Sequence, residues 1–169
     1  MADLAPTAPA PTVDPRRAAL DDPRLTAAGL LFEVTNGLAG QLASQISDAG
    51  VSMSEFEVLL RLSRSDGTRL RMSDLATQAN LSSSGLTRLV DRLEARGLVA
   101  RQACPSDGRG SFAVLSADGL ELLLSIMPGH VALIDRWYTS TLPPEQLRQI
   151  TAALRVVRAV VRPGAEAGA

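Results

Sequence analysis

Lysine is absent from these 169 residues, and cysteine, histidine, tryptophan and tyrosine occur once each. A single cysteine, Cys104, excludes an intramolecular disulfide framework. Beside one histidine, His130, it offers no set of zinc ligands, so neither a metal nor a cofactor is expected. The same scarcity leaves no nucleophile paired with a base, and an enzyme is not expected. Aromatic residues make up only 3%, so a core must come from Leu, Val, Ala and Ile at helical spacing, within an apolar content of 46%. Long apolar runs are missing too. The most apolar stretch, Leu120 to Ile134, is interrupted by Glu121, Pro128 and Gly129, and no membrane-spanning helix is expected. The first residues lack a basic segment followed by an apolar one, which argues against a secretory signal. The expected location is the cytoplasm, on the nucleoid.

The net charge of −1 hides an uneven distribution. Thr68 to Leu115 holds seven arginines (69, 71, 88, 92, 96, 101, 109) and four acids (74, 91, 94, 107), a balance of +3. The rest of the chain holds ten arginines and fourteen acids, a balance of −4. A basic middle between acidic flanks suits a surface that faces phosphate.

Residues 1–22, rich in Ala and Pro, show no apolar periodicity and are expected to be a disordered arm. From Pro23 to about Ala49, Leu25, Ala28, Phe32, Thr35, Leu42 and Ile46 recur at helical spacing. Ser54 and Glu57 form a candidate capping box for a second helix ending near Arg64. Arg69–Arg71 could be a short strand. Ser73-Asp74 is the expected cap of a short helix over Leu75–Ala79, and Asn80-Leu81 the turn. Ser82 then caps a helix to Arg96, stopped by Gly97. In that helix Leu86, Leu89, Val90 and Leu93 fall on one inward face. Two strands, Leu98–Gln102 and Ser111–Leu115, flank a turn at Pro105–Gly110. Ser116 caps a fifth helix that Pro128-Gly129 should kink or break near Met127. The last helix, from Pro143-Pro144, carries Leu147, Ile150, Leu154, Val157 and Val161, a seam for another helix in this chain or a partner. Residues 163–169 should fray. The expected organisation is therefore an arm (1–22), a helical region for dimerisation (23–52 and 116–162), a middle domain (53–115) and a tail.

Two short helices joined by a tight turn, then a basic-tipped hairpin, make a winged helix-turn-helix. The expected fold is mainly α with a small β-wing and about six helices. The major groove of DNA admits one helix, the preceding helix braces it, and the wing reaches the minor groove or backbone. Candidate contacts are Ser73, Ser82, Ser83, Ser84, Thr87, Arg88 and Arg92 around the second helix. Small hydroxyls let it sit deep, and Arg88 could take a guanine edge in a bidentate manner. Arg109 suits minor-groove insertion. The plainer alternative is a solvated face in which Arg88 pairs with Asp91, and a turn closed by Asp107 and Arg109.

The run Leu75-Ala76 followed by Leu81 to Val99, with Ser82-Ser83-Ser84, Arg88 and Asp91-Arg92, resembles the MarR family of multiple antibiotic resistance regulators. The segment Asp107-Gly108-Arg109 to Leu115-Ser116 is similar to that family's wing signature. The similarity spans about residues 24–161. It implies an obligate homodimer whose first, fifth and sixth helices interlock, so that two recognition helices reach a pseudopalindromic operator. Leu25, Phe32, Leu147, Ile150, Leu154, Val157 and Val161 are then the candidate dimer contacts, Arg109 the minor-groove arginine, and Asp107 the residue that holds the wing. The resemblance further implies a repressor released by a small, often phenolic, ligand whose pocket residues do not carry over. A dimeric winged-helix scaffold that binds a partner without reading DNA is the alternative.

Four further residues tempt. Cys104, at the start of the wing, has only Arg101 and Arg109 near it to lower its pKa and reads as an incidental thiol. His130 reads as structural or exposed. Trp137-Tyr138 reads as interface packing rather than the lining of an effector pocket.

Overall fold

The computed structural model describes residue 17, residues 19–104 and residues 107–165, with the side chains of 107–109 outside that description. The expected arm therefore falls almost wholly outside the described residues. The chain divides into two compact units, residues 1–37 and 38–169. Among the described residues, six α-helices and three strands follow in the order α1 (Pro23–Asp48), α2 (Met53–Ser63), β1 (Arg69–Arg71), α3 (Met72–Ala79), α4 (Ser83–Ala95), β2 (Val99–Cys104), β3 (Asp107–Leu115), α5 (Ala117–Trp137) and α6 (Pro144–Val161). The expected mainly α fold with a small β-wing is what the chain adopts. The sheet is antiparallel in the order β1-β3-β2. Its core joins Ile46, Phe56, Val58, Leu59, Leu62, Leu75, Leu86, Val90 and Leu93, every one at most 3% exposed.

Two Ser-x-x-Glu spacings overlap at the start of α2, and the one at Ser52 forms the cap. The Glu55 N–H donates to Ser52 Oγ at 3.3 Å, and the Ser52 N–H donates to Glu55 Oε2 at 2.9 Å. The expected Ser54–Glu57 pair does not cap. Glu57 instead accepts from Arg61 one turn on, at 2.8 Å. The apolar neighbours decide between the two. With Ser52 as cap, Val51 and Phe56 take the two positions of a hydrophobic staple, and each is 3% exposed.

Helix α3 starts three residues earlier than expected, because β1 runs straight into it with Arg71 as N-cap. Ser73 caps nothing, and its hydroxyl turns to Asp74 at 3.2 Å. Both α3 and α4 end in the same motif. The Asn80 and Leu81 N–H groups donate to Thr77 O and Ala76 O, as Gly97 and Leu98 do to Glu94 O and Leu93 O. Asn80 (φ 55°) and Gly97 (φ 73°) supply the left-handed residue that this closure needs.

Three further expectations are corrected. The fifth helix is not broken: α5 continues through Pro128 and Gly129 to Trp137. Core residues grip it on both sides of the proline, with Leu123, Ile126 and His130 all buried. Gln45 also donates its side-chain amide to Ile126 O at 3.1 Å. The loss of one helical hydrogen bond is outweighed by that packing. Second, Glu121, Pro128 and Gly129 do not disqualify the stretch Ala117–Thr141 by length and composition, but its Leu123 and Ile126 pack in the core, and no membrane span follows from composition alone. Third, the turn expected over Pro105–Gly110 is shorter. Residues 107–110 belong to β3, whose pairing with β2 carries the ladder to Cys104 opposite Asp107 past a bulge at Ala103/Cys104. Gly108, Arg109 and Gly110 lie at the register irregularity between the Ala103–Ser111 and Cys104–Asp107 pairs. Residues 105 and 106 lie outside the described residues. At the other end, the expected tail is ordered as far as Ala165, whose N–H donates to Arg162 O at 3.0 Å, and residues 166–169 lie outside the described residues.

Candidate nucleic-acid interface

Helix α4 is two-faced. Leu86, Leu89, Val90 and Leu93 are at most 3% exposed, while Ser83, Ser84, Thr87, Arg88, Asp91 and Arg92 are all exposed. The inward face fixes the rotation of the helix, so its outward face is a rigid presentation. Ser82 caps α4 by accepting from the Gly85 N–H at 3.1 Å, and its hydroxyl lies 3.3 Å from that of Ser84. Thr87 donates to Ser83 O at 2.8 Å. The expected contacts Ser82, Ser83, Ser84, Thr87, Arg88 and Arg92 are thus exposed at the start of α4 and along it, and Ser73 is exposed at the start of α3.

The arginines of that surface differ. Among the described residues no side chain engages the Arg88 guanidinium, and the alternative pairing with Asp91 does not form. Asp91 and Glu94 both bind Arg101 of β2, at 2.7 Å and 2.6 Å, and Arg101 also donates to Thr87 O at 3.3 Å. Arg101 therefore bolts the hairpin to α4. Arg92 leans the other way, donating to Glu55 Oε1 at 3.3 Å and to Arg88 O at 3.2 Å. Sequence reasoning does not find Glu55 and Arg101. A signal exists for Arg101, which falls on the same strand face as buried Val99, but a charged residue in a basic segment reads first as outward-facing.

Glu55 is 7% exposed. Burial pushes its carboxyl up, but hydrogen bonds from the Ser52 N–H and hydroxyl and the Arg92 guanidinium prevail and hold it below the usual carboxylate range. A depressed folded value stabilises the fold above the unfolded value of about 4.3 and is lost as pH falls through the folded value. Glu55→Gln is thus expected to cost about 1–3 kcal/mol at neutral pH. In denaturation across pH the gap to the parent should narrow below about pH 4.3; a gap constant with pH would show that the charge of Glu55 is not what matters.

Asp107 and Arg109 lie on the β3 backbone, and their side chains fall outside the described residues. Cys104 is buried at the end of β2. His130 is 7% exposed and packs against Phe56, with ring centroids 4.7 Å apart and planes tilted by 50°, a structural place. Trp137 is 46% exposed beneath the Arg136 guanidinium at 4.9 Å. Of the candidate dimer contacts, Leu25, Phe32, Ile150, Leu154, Val157 and Val161 are exposed and Leu147 is half-buried.

A braced pair of short helices, an outward polar face on the second, and a hairpin bolted to it define a winged helix-turn-helix protein. Residues 51–111 match the MarR family model. The HTH-type transcriptional regulator MhqR of Bacillus subtilis is 34% identical over 128 residues, 76% of this chain and 86% of MhqR. The solved structure of Sco3205, a MarR family transcriptional regulator from Streptomyces coelicolor in complex with DNA, aligns with TM-score 0.75 and 35% identity over 82% of this chain and 87% of that one. NadR in complex with 4-hydroxyphenylacetate aligns with TM-score 0.62 and 28% identity over 78% of this chain and 89% of that one. The chain belongs to the MarR family and is a transcriptional regulator of that type.

Proposed function

We propose that the chain acts as a homodimeric repressor that holds a pseudopalindromic operator and lets go when a small ligand of phenolic type binds. The observation that carries the DNA-reading part is the outward face of α4, with Ser83, Ser84, Thr87 and an unengaged Arg88 on a helix whose other face is locked in the core. The N-terminus of α4 and its serines favour phosphate. Arg88 reads a base edge, Arg92 stands on the flank of the same face held by Glu55, Ser73 and Ser82 meet the backbone, and Arg109 enters the minor groove beside Asp107. Ligand release rests on the family and on the phenolic compound bound to NadR.

The test compares Arg88→Ala and Arg109→Ala with the parent on an operator duplex and on scrambled DNA. Arg88→Ala should weaken operator binding and relax base preference by about 1–3 kcal/mol. Arg109→Ala should weaken both duplexes. Unchanged affinity in both variants would refute this docking.

A further inference from the structure

Helix α6 buries no residue in its own chain, yet the residues that follow it dock on α3, the bracing helix of the winged unit. Arg162 makes the contact. Its backbone ends α6, with its N–H donating to Arg158 O at 2.8 Å. Its side chain ends α3. Arg162 Nη2 donates to Gln78 O at 3.0 Å and to Thr77 O at 3.4 Å, partners 84 and 85 residues away in the chain.

The last carbonyls of a helix have no partner inside it and carry partial negative charge, so a guanidinium is favoured there on both counts. At α3 the closing turn supplies two partners. Leu81 N–H reaches Ala76 O at 2.9 Å, and Asn80 N–H reaches Thr77 O at 3.3 Å. Gln78 O takes its hydrogen bond from Arg162. Gln78 is only 9% exposed, where a carbonyl without a partner is costly.

A second contact seats the tail. The Ala165 N–H closes a turn on Arg162 O at 3.0 Å, with Pro163 at the second position, where the fixed φ of proline fits. That turn brings Gly164 against α3. A Cβ on Gly164 would stand 2.5 Å from Thr77 Cγ2. Thr77 does not rotate away freely, because its hydroxyl donates to Ser73 O at 3.0 Å. Arg162 and Gly164 thus meet the same turn of α3, one by hydrogen bonds and one by close fit.

The contact lies between two proposed working parts. Val161, the last residue of the proposed dimer seam, directly precedes Arg162. Gln78 stands four residues before Ser82, the cap of α4, and the proposed readers follow from Ser83. We infer that Arg162 is a positioning residue for operator reading. By capping α3 from the end of α6, it fixes where the start of α4 stands relative to the seam, and so the separation of the two recognition helices in the dimer. This rests on the reading of the chain as a homodimeric DNA-binding regulator. Affinity for two half-sites depends on that separation, whereas attraction to phosphate in general does not.

The experiment uses the full chain and two measurements. One is binding to an operator duplex and to its scrambled counterpart across salt concentration. The other is backbone hydrogen exchange at Asn80 and Leu81. Arg162→Ala should weaken operator binding by about 5- to 150-fold, the usual range for coupling between two sites. Affinity for scrambled DNA and its salt slope should stay at the parent's values. Exchange at Asn80 and Leu81 should quicken, and sedimentation should still find the dimer. Arg162→Lys keeps a donor and a charge and should restore most of the operator affinity. Gly164→Ala pushes the tail off Thr77 and should give a milder loss, which adding Thr77→Ser, without the obstructing methyl, should repair. This pair carries the test should the thermal midpoint show that Arg162→Ala does not fold. If the parent prefers its operator and Arg162→Ala keeps that preference in full, the inference falls alone. A loss shared equally by scrambled DNA, with a shallower salt slope, overturns it in favour of a direct phosphate contact by Arg162. A variant that falls to monomer overturns it too, since the effect then passes through the seam. A parent that holds no duplex above scrambled DNA overturns the proposed function, and this inference with it.

Discussion

Replacing Leu154 or Val157 with glutamate is expected to give a folded monomer that no longer holds an operator. Helix α6 contributes no buried residue to its own chain. Ile150, Leu154, Val157 and Val161 are 38–67% exposed, at the three-and-four spacing of a helix–helix seam. Such a stripe is costly to leave in water, and a second copy of the chain is the proposed cover. A carboxylate placed inside that interface must be desolvated without a partner, a penalty of several kcal/mol per copy. The core of the winged unit lies elsewhere, so the helical circular dichroism should persist. Operator affinity should fall by about 10²–10⁴, the gain that linking two half-site contacts supplies. Sedimentation that still finds a dimer would move the seam away from α6.

The second large effect is on stability, at Gly119. In a helix, glycine to alanine normally stabilises by about 1 kcal/mol. Here the sign is expected to reverse. Gly119 donates its N–H to the capping hydroxyl of Ser116 at 2.9 Å, which brings the first turn of α5 down on the end of α4. A methyl group at Gly119 would run into the Leu98 carbonyl and lie 2.9 Å from Leu115 Cδ1. The carbonyl cannot step aside cheaply, because it accepts the Ser116 N–H at 3.1 Å. Gly119→Ala should therefore destabilise by about 2–3 kcal/mol, lowering the thermal midpoint by roughly 5–10 °C. A midpoint equal to or above that of the parent would show that the α5 junction yields.

Those two sites also mark what is legible in the sequence. Strong periodicity carries through into structure: the inward face of α4, its Ser82 cap and its Gly97 stop all follow from local chemistry. Sequence and structure part where tertiary context chooses between equal local signals. Ser52 and Ser54 each stand three residues before a glutamate, and burial of Val51 and Phe56 selects the first. Pro128 would end a helix standing alone, but Leu123, Ile126 and His130 hold it in the core. The bracing of the α4 face is the least legible part. Arg101 is fourteen residues from Thr87, and Glu55 is thirty-seven from Arg92. Nothing in spacing announces pairs that only folding brings together.

The central claim is that this chain reads DNA through α4 and the wing. The most direct test titrates the purified protein against fluorescent DNA from its own upstream intergenic region, with scrambled competitor, across salt concentration. The account predicts tight binding that resists competitor and weakens steeply with salt. Binding no tighter than to scrambled DNA, at this region and across a genome-wide pull-down, would contradict it.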